Sequence, residues 1–133
     1  MTQAAASASS TRPNLTPYAL ASAALCGLGL LAASHACEQR AALFGAGASA
    51  VAAAVALPAL AYGIPRGTNG VLAGFVAGFF ARMIAVAAGL ILSGARGEAA
   101  IAYAAAFFLL YAFTQAVEVA CVWGSSRRRR AGA

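Results

Sequence analysis

Residues 68–93 read TNGVLAGFVAGFFARMIAVAAGLILS, an apolar run broken by a single charge, Arg82. About 20 such residues, wound as an α-helix, cross the hydrocarbon core of a bilayer, and this run is longer than that. A backbone inside lipid must satisfy its own hydrogen bonds, which leaves a helix or a closed barrel. The run has none of the polar–apolar alternation of a barrel strand. It reads as a transmembrane helix.

Three more runs of the same kind flank it: Pro17 to Ala36, Ala41 to about Tyr62, and about Ala99 to Trp123. Composition agrees, since 62% of the 133 residues are hydrophobic and only 9% are charged, against about a quarter charged in a soluble domain. The links, His35–Arg40, Ile64–Asn69 and Gly94–Glu98, are too short to join anything but antiparallel neighbours. The middle one, within GIPRGTNG at 63–70, is dense in turn-forming residues. The expected fold is therefore all-α and integral to the membrane, with four transmembrane helices arranged as two antiparallel hairpins. The single membrane domain, 17–123, lies between a flexible polar tail, 1–16, and a basic tail, 124–133.

Charge supplies the orientation. The nine basic residues are all arginine, against three acids. With four spans, Arg12, Arg66 and Arg127–Arg130 share one side, and Arg40 and Arg96 lie on the other. Six against two puts both termini in the cytoplasm, because cytoplasmic loops carry the excess of Lys and Arg. The run Arg127–Arg130 reads as a membrane-surface anchor beside anionic headgroups, worth about 1 kcal/mol per arginine, with membrane lipids as its partner. Nucleic acid is set aside, because no soluble fold remains to present the patch. A rival reading takes the first run as a cleaved signal peptide, with Ser34-His35-Ala36 as a small-x-small site, or Cys37 as a lipoprotein site. Against it stand the length of the apolar run, the single distant arginine, and the three spans that cleavage would leave.

Catalysis finds no footing. There is one histidine, in a loop, and no paired carboxylates, phosphate-binding glycine loop or nucleophile beside a base. His35, Cys37 and Glu38 fall short of a metal ligand set, and Cys26, Cys37 and Cys121 form no disulfide framework. The expectation is a protein that is not an enzyme and carries no cofactor or metal.

What polar chemistry there is lies in the last two runs. Gly70, Gly74, Gly78 and Arg82 follow at a spacing of four, so they share a helix face, and the glycines form a packing groove. Tyr103, Phe107, Tyr111, Gln115 and Glu118 form a corresponding face, and Glu118 is the only acid within an apolar run. Arg82 sits near mid-span, where an unpaired charge is expensive. With the hairpin turning near Arg96, its Cα stands about 12 Å from the level of Glu118 at 1.5 Å per residue. Side chains lean toward their own helix N-terminus, so the two approach each other along the glycine groove, with Gln115 between them. The alternative is that Arg82 snorkels to the cytoplasmic headgroups and Glu118 sits at the interface near Trp123.

Gly78-Phe79-Phe80-Ala81-Arg82, Leu57-Pro58 and Gln115 resemble, at matching places in the third, second and fourth helices, the pattern of ATP synthase protein I, a small four-helix protein encoded with bacterial F-type ATP synthases. The resemblance extends over most of 17–123. Phe79 stands where that family often carries an acidic residue, so Glu118 would have to supply the acid from the next helix. The resemblance implies a location in the inner membrane, a role in assembling the rotor ring of c subunits, the c subunit as partner, and a part in supplying magnesium. Partner helices would dock on the glycine- and alanine-rich first two helices, at Gly27, Gly29, Gly45, Gly47 and Ser49. The residues alone leave two other classes open, a small transporter or lipid-carrier flippase subunit, and a holin-like pore.

Overall fold

The computed structural model describes residues 14–132, so most of the 1–16 tail, including Arg12, lies outside the described residues. Four helices follow in order, α1 Thr16–Ser34, α2 Gln39–Gly63, α3 Thr68–Ser93 and α4 Glu98–Ala131, all long and apolar enough to cross a membrane. The chain is a multi-pass membrane protein built as an all-helical, up-and-down bundle. The starts and stops follow local chemistry. Pro17 occupies the first turn of α1, where a missing N–H is not needed. A 3-10 turn, Ile64–Arg66, joins α2 to α3, and Gly67 reverses the chain at φ 79°. Gly94 ends α3 in the left-handed conformation at φ 61°.

Helix α4 continues past Trp123, where its apolar run ends, and carries Arg127–Arg130 in its last turns. Arginine is a good helix former, and the positive charges complement the dipole at a helix C-terminus. Ser125 and Ser126 turn their hydroxyls back to the carbonyls of Cys121 and Trp123, both at 2.8 Å. The extension reaches about 12 Å beyond Trp123 at 1.5 Å per residue. Tyr62 and Trp123, 69% and 60% exposed, stand at this end as interfacial aromatics do.

Helix α2 is the centre of the bundle and touches the other three, whereas α3 and α4 meet sparingly. Its buried side is a stripe of small residues, Ala42, Gly45, Ala46, Ser49, Ala52, Ala53 and Ala56, while Phe44, Val51, Val55 and Tyr62 face outward. Lipid tails are as apolar as leucine, so helices in a bilayer associate through close van der Waals contact, which small side chains allow. The closest seam joins the two hairpins. Gly63 and Gly70 are so close that a Cβ on either would strike the other's carbonyl, and a Cβ on Gly74 would lie 3.0 Å from the Leu60 Cα. On its other side α2 meets α4, where a Cβ on Gly45 would strike the Tyr103 carbonyl. Helix α1 is held more lightly: Ala33 packs into a cluster with Ala42, Ala46 and Leu110.

Candidate functional site

The polar residues meet where α2, α3 and α4 come together. Arg82 on α3 donates from Nη2 to Oε1 of Glu118 on α4, the one salt bridge among the described residues. Both are buried, at 6% and 2% exposure. The contact closes the longitudinal offset because Arg82 bends back over Gly78: a Cβ there would lie 3.0 Å from Arg82 Nη1 and 3.2 Å from the Ala56 Cβ. Arg82 therefore does not run to the membrane surface. Tyr111 covers the guanidinium from α4, with its ring centre 5.0 Å from the guanidinium carbon. A second tie joins α3 to α4 further along, where the Tyr103 hydroxyl donates to the carbonyls of Val86 at 3.1 Å and Ala85 at 3.3 Å.

Two features of this geometry depart from the expected faces. Gly74 and Gly78 are filled by Leu60 and Ala56 of α2, not by α4, so the glycine groove is a seam between the hairpins. Gln115 is half-buried and makes no link in the pair, which is direct. The buried stripe of α4 is Tyr103, Phe107, Leu110, Thr114, Glu118 and Cys121. Steps of four overshoot a helix of 3.6 residues per turn by about 40° each, so Tyr111 and Gln115 drift to the edge while steps alternating three and four stay inside. Thr114, at 1% exposure, belongs to this stripe but was absent from the expected face. Its hydroxyl bonds its own helix, to the Leu110 and Tyr111 carbonyls at 3.0 Å each. The alternating three–four step was the signal that could have found it.

Among the proposed docking residues, Gly45 and Ser49 are buried against the protein's own helices, and Gly29 lies against the Leu110 side chain. At Gly27 and Gly47 a Cβ would meet nothing within 4 Å. Beside Gly29, α1 and α4 diverge around a cleft of about 550 Å3, walled by Leu25, Leu28, Ala106, Leu109 and Phe113. At the opposite end, Arg127 stacks on Trp123 at 4.1 Å, Arg66 stacks on Tyr62 at 3.5 Å, and Arg129 donates to the Ile64 carbonyl. All four arginines, Arg127–Arg130, are exposed.

The arrangement neutralises two charges inside the bundle and leaves neither free for a ligand. No group of three or more His, Cys, Asp or Glu comes together among the described residues, and Arg82 engages the one acid within a span. No family model, curated protein or solved structure matches the chain.

Proposed function

We propose that this chain is a non-catalytic helper of the bacterial inner membrane, with both termini in the cytoplasm, that holds transmembrane hairpins of another protein during assembly. The c subunits of the ATP synthase rotor are the proposed client. The observation that carries the reading is the cleft between α1 and α4. It is apolar, it opens on the membrane side of the bundle, and its floor includes Gly29, Ala32 and Ala33. A helper must release its client. Small-residue surfaces suit that, because they give close contact without the strong drive that water adds to hydrophobic association. The ion pair supports the same reading from inside: it ties α3 to α4 and leaves the lightly held α1 as the flank that opens. The resemblance of Gly78–Arg82, Leu57-Pro58 and Gln115 to ATP synthase protein I supports the c subunit as the client.

The test is to purify the tagged full chain in a gentle detergent and identify what accompanies it by mass spectrometry. The proposal expects c subunit, and expects less of it from a Gly29→Phe variant that blocks the cleft. Glycosyltransferases or lipid-linked sugars in place of c subunit would move the chain to the transporter or flippase class, since the same cleft suits a long apolar chain.

A further inference from the structure

At the end that carries both termini, a second cleft opens between the start of α3 and the end of α4, about 270 Å3 in volume. Its polarity runs in one direction along the bundle. Val71 and Val122, with Ile64, form the inner part, and Thr68, Ser125 and Arg129 form the mouth. At 1.5 Å per residue, Thr68 and Ser125 each stand about 4.5 Å further out than the valine on their own helix, and the Arg129 Cα about 10 Å further out than Val122, with its guanidinium turned back to the Ile64 carbonyl at the mouth. Trp123, next to Val122, places this gradient at the level of the membrane interface. The order from inside to outside, apolar, hydroxyl, cation, is that of a phospholipid read from its first methylenes to its phosphate.

Charge selects the class of ligand. Among the described residues no acid answers these arginines: Glu38 and Glu98 begin α2 and α4 at the far end, and Glu118 is engaged by Arg82. Arg129 is held in place by one N–H on the Ile64 carbonyl. A guanidinium has five donors, so four remain for a phosphate, which arginine binds in a forked geometry. Its neighbours differ. Arg127 lies on Trp123, while Arg128 and Arg130 do not line this cleft.

We infer that this cleft seats one anionic phospholipid, with its headgroup phosphate on Arg129 beside Ser125 and Thr68, and its glycerol end against Val71 and Val122. This is a defined site, in contrast to the diffuse attraction that any arginine run exerts on an anionic surface. Diffuse attraction would weaken by about fivefold for whichever arginine is removed.

The experiment is native mass spectrometry of the full chain released from micelles doped with phosphatidylglycerol or with phosphatidylcholine. The wild type should retain one phosphatidylglycerol and no phosphatidylcholine. Arg129→Gln should lose the adduct by about tenfold or more, and Arg130→Gln should keep it. Ser125→Phe fills the cleft with all four arginines in place, and should lose the adduct as Arg129→Gln does. It keeps the test decisive if Arg129→Gln weakens the bundle. Inorganic phosphate at the same concentration should not displace the lipid. Equal losses for Arg129→Gln and Arg130→Gln, retention by Ser125→Phe, or equal binding of phosphatidylcholine would overturn the site. Displacement by inorganic phosphate would assign the cleft to a soluble anion and overturn the lipid.

Discussion

Replacing either partner of the Arg82–Glu118 pair should destabilise the bundle, and the two replacements should differ in size. In Glu118→Leu the arginine is left alone, 6% exposed. Its Cα is 14 residues from the start of α3 at Thr68, about 21 Å, which is beyond the reach of its side chain to the headgroups. A lone arginine at the centre of a span costs about 2.5–3.5 kcal/mol. The Tyr111 ring contacts the guanidinium with or without Glu118, so it does not change the difference, and the loss should be about 2.5–3.5 kcal/mol. In Arg82→Leu the orphan is Glu118, whose carboxylate lies at the same depth as the guanidinium it meets but is not held to one charge state as a guanidinium is. It can take a proton or be reached by water, so the loss should be near that of an ordinary intramembrane polar contact, about 0.6 and at most about 1.7 kcal/mol. The double Leu variant removes both charges and should return to within about 1 kcal/mol of wild type, as apolar replacement of a buried pair often does. The assay is reversible unfolding from mild detergent into SDS, followed by helicity, on all four proteins. A larger loss for Arg82→Leu than for Glu118→Leu, or strictly additive losses in the double variant, would show that the two charges do not depend on each other in this way.

Two further outcomes follow from the same geometry. Gly74→Leu should cost about 1–3 kcal/mol by overpacking the seam, because its Cβ would already lie 3.0 Å from the Leu60 Cα. Gly47→Leu, with nothing within 4 Å of its Cβ, should stay within about 0.5 kcal/mol of wild type in the same assay. In whole cells, an impermeant maleimide should label exposed Cys37 and spare buried Cys121. A Gly132→Cys probe in a Cys37→Ser background should react only after the membrane is opened, and labelling of that probe in intact cells would invert the proposed orientation.

The spans were legible because lipid imposes length and apolarity. The expected run Thr68 to Ser93 coincides with α3, and the expected start of α1 lies one residue from Thr16. The end of α4 was less legible. Hydropathy marks where lipid stops, and the helix continues through Arg127–Arg130 because nothing after Trp123 breaks its hydrogen bonds. Which faces meet was harder to read. A helix with lipid on one side and protein on the other is apolar on both, so the period that orients a soluble helix is weak here. Size carried the information instead: in α2 small residues point inward and Phe44, Val51 and Val55 outward. On α3, the spacing of Gly74 and Gly78 marks a groove but not which helix fills it. Gly63 and Ala56 on α2 offered a smaller partner surface, and the closest seam formed there. The contact between Arg82 and Glu118 could be anticipated because a bilayer leaves a mid-span charge few alternatives. Its placement over Gly78 and beneath Tyr111 depends on the crossing of three helices, which spacing alone does not encode.

As proposed, the chain helps a rotor ring assemble. The direct measurement is the yield of assembled c ring from membranes of a strain lacking this chain, compared with the same strain carrying the wild type or Gly29→Phe, with ATP hydrolysis by the released soluble head measured alongside. The ring yield should fall, the wild type should restore it and Gly29→Phe should not, with hydrolysis by the head unchanged in all three. A normal ring yield in the deletion strain would contradict it.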